Sequence, residues 1–393
     1  MNIKQDASHR KGTWRIGRIA LLSALLVIVA VVGFGCVRGL APIGWSAGAV
    51  FEGDLYVGSR EGTLVAVNLA DESRLWSVPL KPAAQSGFFG CSPYSGGGGC
   101  GGGSAGVAIY GTPLIYGDKV YLGGYNGKFY SYDVDSLQLD DVYPPEGNME
   151  PIVGGAVALN GKVFFANTDG YLYAMDASNL LLEWRFATED KIWSTPAVDG
   201  DTVYIGSFDN RLYAVNAYDG SQRWQFQAEG AIAATPLVYD GTIFIGSFDR
   251  NMYALNAADG SIRWQFMGEN WFWAEPVIHN DVLYAGCLDG KVYALAVDTG
   301  RLVAEFELDA PVSSTPVIVD NSIVVASREG TVYTIDTGSR QMAQLAVLEE
   351  QVNGPLTAYE SIVYVHSAEE LTLHRINAVN GAILRPISLK SQD

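Results

Sequence analysis

The chain has 393 residues, of which 48% are apolar and only 17% charged, with 45 Gly and a net charge of −18. A large buried core is within its reach, and many tight turns joined by short aromatic strands are the profile of an all-β protein. Residues 1–38 hold six basic residues and one acid, so the remainder carries −23; such a body repels phosphate backbones, disfavours nucleic-acid partners and suits a cationic or neutral one better.

At the N-terminus, residues 19–37 run for 19 positions without a charge, long enough to cross a bilayer as one helix. Lys4, Arg10, Lys11, Arg15 and Arg18 precede the run. The positive-inside bias then keeps residues 1–38 as a cytoplasmic segment plus anchor and sends 42–393 to the extracytoplasmic side of the cell envelope. Three ends of this segment stay open: an uncleaved transmembrane anchor, a lipoprotein signal with Cys36 as the lipidated residue, or plain cleavage.

The body opens with a first repeat and then a Gly-rich insertion at 86–106. Export places Cys91 and Cys100 in an oxidising compartment, where they form a candidate disulfide across that loop. No His lies near enough to make them half of a zinc site. Cys287 stands where sister repeats carry Ser207, Ser247 and Ser327, which reads as a small buried filler.

Self-similarity organises everything that follows. Pro196, Pro236, Pro276 and Pro316 are 40 residues apart, and Tyr213, Tyr253, Tyr293 and Tyr333 keep the same period. Backwards, Ala156, Pro113 and Gly48 hold the proline position; forwards, Pro355 opens a last copy in which Tyr364 drifts by one residue. The count is eight. Each unit reads as four strands, in the fourth copy 195–198, 202–207, 211–216 and 222–227, with the second and third joined by pairs such as Asp209-Asn210 and Asp289-Gly290 that suit hairpin turns. A unit of about 40 residues and four antiparallel strands is a propeller blade, so the predicted fold is an eight-bladed β-propeller behind an N-terminal transmembrane or signal helix.

The fourth strands carry Trp76, Trp184, Trp224 and Trp264, each placed to pack on the next blade. Ala304, Met342 and Arg385 stand there in the last three copies. Over 206–224 and 246–264 the pattern Gly-Ser-x-Asp-x-x-Leu-Tyr-Ala with a closing Gly-x-x-x-Trp resembles the PQQ-type propeller repeat. The resemblance covers the chain from about residue 43 and is strongest from 156 to 338. One branch of that family comprises PQQ-dependent dehydrogenases, which imply bound quinone, Ca²⁺ and long inter-blade insertions. This chain has nearly bare blades, no vicinal cysteines and no assignable general base, so neither a catalytic residue, a cofactor nor a metal is expected. It is more similar to the non-catalytic branch of the outer-membrane assembly factor BamB, which implies a monomeric protein-binding scaffold in the envelope. A sensor module for a glycan or peptide is the alternative, and a PQQ-dependent oxidoreductase the lesser one.

Propeller geometry gathers the connectors entering the inner strands and the hairpins joining second and third strands on one face. Three positions before each proline equivalent stand Trp45, Tyr110, Val153, Trp193, Ala233, Trp273, Ser313 and Val352, with Trp271 beside the sixth. Trp45, Tyr110, Trp193, Trp271 and Trp273 therefore form a candidate partner-binding mouth to the central channel, or else a plug of core filler. The acidic residues of the same face, Glu61, Asp169, Asp209, Asp249, Asp289, Glu329 and Glu369, read as turn formers.

Overall fold

The structure, a computed structural model, describes residues 46–59, 62–71, 73–80, 107–136, 138–367 and 372–390. The expected N-terminal anchor, Cys36, Trp45, Glu61, Glu369 and the insertion with Cys91 and Cys100 lie outside them. Residues 43–393 form one compact unit. Eight four-stranded sheets make it up, each pairing its strands in chain order. The blades run Gly48–Pro79, Leu114–Tyr143, Ala156–Ala187, Ala197–Gln227, Leu237–Met267, Val277–Glu307, Val317–Val347 and Thr357–Ser388, and are called blades one to eight below.

All strand pairs within a blade are antiparallel, as the alternating patterns require; in blade four Val198 faces Val203 and Ile205 faces Tyr213. Inner strands are as short as three residues, Ala197–Asp199 for example, because eight of them crowd the axis. The second and third strands are buried almost throughout, whereas the fourth alternates exposed and partly covered residues. Apolar side chains from facing sheets fill the wedges between blades. Leu212, Phe226 and Ile232 of the fourth blade and its connector meet Ile243, Ile245 and Leu255 of the fifth.

The fourth-strand tryptophans join neighbours as expected. Trp184, Trp224 and Trp264 donate their indole N–H to the carbonyls of Ala217, Ala257 and Val297 in the following blade, at 3.2, 3.0 and 2.8 Å. Each ring lies on the turn glycine of that blade. Gly260 has φ +73°, and a Cβ there would meet the Trp224 ring at 2.6 Å, so backbone and packing both demand glycine. Two of the expected substitutes shift by a residue. Ala343, not Met342, stands opposite Thr334 as Trp224 stands opposite Ala214, because the bulge of blade seven falls two positions earlier. In blade eight Leu384, not Arg385, faces the corresponding Arg375. Where blade seven lacks its indole, a cavity of about 510 Å³ opens, lined by Thr334, Ala343, Ala378 and Val379 among others.

The last copy also corrects the anchor assignment. Tyr364 pairs with Thr357 as Tyr204 pairs with Ala197, so Tyr364 holds its place and Pro355 stands one residue early. Leu356 occupies the proline position, and the residue three before it is Asn353 rather than Val352, which is buried in the wall.

Ring closure uses side chains rather than a shared strand. Thr357 Oγ1 accepts from Gly48 N at 2.8 Å and donates to Gly48 O at 2.9 Å. Arg74 Nη1 donates to Lys390 O at 2.6 Å. Leu55, Val57, Val65 and Val67 of blade one pack with Tyr364, Leu373 and Leu389 of the last blade and its C-terminal end. Buried His366 lies 3.3 Å from Ser46 O through Nδ1, and burial pushes its pKa down to about 4.

Candidate channel-mouth site

Connectors and hairpins do share one face, and hydrogen bonds lock them together. Phe208 N, in the hairpin of blade four, donates to Lys191 O of the preceding connector at 3.0 Å, while Ile232 N of the following connector donates to Ser207 O at 3.0 Å. The hairpin carboxylates are consumed in this lattice. Asp249 accepts from Asn251 N at 2.9 Å, from Tyr253 Oη at 2.7 Å and from Glu229 N of the preceding connector at 3.0 Å. Asp209 and Asp289 repeat the arrangement with Tyr213 and Tyr293. Burial, then the hydrogen bond to Asp209, pushes the Tyr213 phenol up to about 12. These acids therefore hold the face in shape, and Asp249→Ala is expected to cost about 2 kcal/mol. A denaturation midpoint unchanged from the parent would reject that role.

Cys287 takes the place of the sister serines. Ser207 Oγ and Ser247 Oγ donate to the connector carbonyls of Asp190 and Gly230 at 3.2 and 3.1 Å, and the Cys287 thiol reaches Asn270 O at 3.2 Å. Burial raises its pKa to about 12, so it is not a thiolate nucleophile at neutral pH.

At the channel mouth the structure brings together Trp193, Trp271 and Trp273. Trp193 and Trp273, from blades four and six, approach to 6.2 Å between ring centroids. They meet across the position that Ala233 holds in blade five, where a larger side chain would intervene. Two rings absent from the expected set complete the cluster. Phe248 stacks on Trp271 at 4.3 Å and on Trp273 at 5.3 Å, and Phe208 meets Trp193 edge-on at 4.7 Å. Phe208 and Phe248 contact each other at 5.8 Å. Their signal is visible in the repeated Gly-Ser-Phe-Asp of 206–209 and 246–249. Lys191 Nζ lies 5.0 Å from the Trp193 centroid and 4.5 Å from that of Phe208, a cation–π contact. Tyr110 occupies the corresponding corner of blade two, where it pairs with Tyr125 at 5.1 Å.

Two positions further along each connector stand Ala47, Thr112, Gly155, Thr195, Thr235, Glu275, Thr315 and Pro355. Neighbours there touch: Gly155 N donates to Thr195 Oγ1 at 2.8 Å, and Leu356 N donates to Thr315 O at 3.3 Å. Glu275 is the one ionisable member, and it is partly buried. Desolvation alone lifts its carboxyl to about 7. Among the described residues no group of three or more His, Cys, Asp or Glu comes together as metal ligands.

Comparison with known proteins adds the following. A family model described as outer membrane protein assembly factor BamB matches residues 13–179 and 181–385. The fold is similar to that of BamB from Moraxella catarrhalis, with a TM-score of 0.66 and 20% identity over 81% of this chain and 92% of that one. It is similar also to the computationally designed Ika8 protein, with a TM-score of 0.63 and 17% identity over 72% of this chain and 87% of that one. At such identities the two likenesses show the fold alone. No curated protein sequence matches.

Proposed function

This chain belongs to the family described as outer membrane protein assembly factor BamB, and on that premise we propose that it is a protein-binding scaffold of the cell envelope that docks an assembly partner on its aromatic face. Membrane attachment through the apolar run at 19–37, by a retained helix or by lipidated Cys36, belongs to the same reading. So does a single propeller acting without catalysis.

The observation that carries it is the cluster of Trp193, Trp271, Trp273, Phe208 and Phe248. Rings fixed by mutual stacking present contact area with little conformational entropy left to lose, the property of interface anchors. Trp193 is 8% exposed and acts as the floor. Trp271 and Trp273 are only partly covered and supply the accessible surface.

A photo-reactive group at position 271, activated in native membranes, is expected to capture an envelope protein. Trp271→Ala is expected to weaken that partner's binding roughly 30-fold, on the order of 2 kcal/mol, as for a central anchor. The melting temperature should change little. Capture of no protein, or unchanged affinity in the variant, would overturn the docking face.

A further inference from the structure

The cavity of about 510 Å³ between blades seven and eight lacks three side chains that its sister wedges hold. In blade four, Tyr204 Oη and Trp224 Nε1 both donate to Ala257 O of the next blade, at 3.3 and 3.0 Å. The residue before each tryptophan is the bulge of the fourth strand, and it turns to the start of the second strand. Arg223 pairs there with Asp201 at 2.5 Å, and Arg263 donates to Thr242 Oγ1 at 2.7 Å. Blade seven places Val324 where Tyr204 stands and Ala343 where Trp224 stands. Its Met342 and Ala343 face Ile335 and Thr334 with no bulge residue between them, so the arginine has no counterpart. Asn321 and Ser322, at the places of Asp201 and Thr202, line the cavity instead. Ala378 holds the place of Ala257, its N–H bonding to Ser361 O as Ala257 N does to Gly241 O, and its carbonyl receives neither phenol nor indole. Blade six also lacks its indole, but there Val303, Met342 and Tyr284 pack together.

We propose that this wedge is a docking pocket for a consecutive Arg-Trp pair on a partner protein, seated as Arg223 and Trp224 are seated in their own wedge. The indole would lie against Ala343 and donate to Ala378 O, and the guanidinium would take the place beside Asn321 and Ser322. Charge favours the same occupant. Asp320 and Asp336 stand in the lining with no Lys or Arg among them, and a guanidinium brings five donors and nothing to accept. The body's −23 outside its first 38 residues draws a basic segment toward it. Arg and Trp are also the side chains that most often anchor an interface. The pocket is bordered by the turns joining first to second and third to fourth strands, at the opposite end of the blade from the hairpins of the channel mouth. It is therefore a second surface, independent of the aromatic face.

The test titrates the full chain, in detergent at neutral pH, with Nα-acetyl-Arg-Trp-amide by calorimetry. Saturable binding is expected, with the Gln-Trp and Arg-Ala analogues each weaker by about fivefold or more. Ala343→Trp supplies the missing ring from within, and should raise the melting temperature while weakening peptide binding by about tenfold or more. Asp320→Asn with Asp336→Asn keeps both turns, since Asn280 and Asn256 stand at those places in blades six and five. That double variant should weaken Arg-Trp binding by about fivefold and leave Gln-Trp binding unchanged. No binding of the Arg-Trp peptide up to about 50 mM, a range that covers affinities of only a few kcal/mol, would overturn the pocket. So would equal binding of either analogue, or undiminished binding by either variant; if Ala343→Trp does not fold, the double variant decides. Trp271→Ala should leave this binding unchanged, so the pocket and the docking face stand or fall separately.

Discussion

Replacing Trp264 by alanine lowers the stability of the propeller by about 3–5 kcal/mol, among the largest losses a single truncation causes. The indole is 7% exposed, lies on Gly300, and sits 5.6 Å from the Phe244 ring. Its removal deletes that packing, opens a void between blades five and six, and strips the Val297 carbonyl of a 2.8 Å hydrogen bond. Trp264→Phe should recover part of the packing but not the hydrogen bond. Chemical denaturation of both variants measures the difference. A loss below about 1 kcal/mol for the alanine variant would show that the wedge collapses around the gap. The cavity between blades seven and eight, where the indole is naturally missing, shows what an uncollapsed wedge looks like.

A second large effect depends on pH. Folding lifts the Glu275 pKa from 4.5 to about 7, so its stabilising contribution is complete below the unfolded value and is lost as pH rises through the folded one. His366 moves the other way, from 6.5 to about 4; its contribution is complete above the unfolded value and is lost as pH falls toward the folded one. Each full excursion is worth on the order of 3 kcal/mol, at 1.36 kcal/mol per pKa unit. Between about pH 4.5 and 6.5 the two slopes oppose each other and flatten the wild-type profile. Glu275→Thr removes one of them. The variant is expected to match the wild type near pH 4, to exceed it on the order of 3 kcal/mol at pH 8, and to lose stability on acidification as His366 takes up its proton. Denaturation midpoints at pH 4, 6 and 8 measure this. A gain of the same size at all three would place its origin in packing rather than in ionisation.

Most of the fold is legible in the chain because a repeat states the same solution eight times. Proline, glycine and tyrosine at a 40-residue period locate strands that one copy alone would leave ambiguous. Where a copy drifts, one anchor residue can mislead. Pro355 attracts the alignment, yet the inner strand follows Tyr364, since a strand can tolerate a displaced proline at its entrance but not a slipped ladder. The aromatic mouth is legible only in part. The corners bearing Trp193, Trp271 and Trp273 are read directly from the connectors, whereas the meeting of Trp193 with Trp273 depends on ring curvature and on the small Ala233 between them. Phe208 and Phe248 stand in plain view in the repeated hairpins, but only the three-dimensional stacking gives them a role. Glu275 is the opposite case. It is an acid at a position where blades two, four, five and seven carry threonine, and its raised pKa follows only from the packing around it.

Self-contained blades have a consequence for heredity. Every sheet is built from consecutive strands, and the first and last blades meet without sharing a strand. A duplication or loss cut within a connector would therefore insert or remove a whole blade without breaking any hydrogen-bonded ladder. Ring size is then governed by how steeply each side-chain wedge tapers, and recombination between the related copies can explore it. A propeller that borrowed a strand across its ends would be denied that route, since any change in repeat number would have to preserve the borrowed pairing.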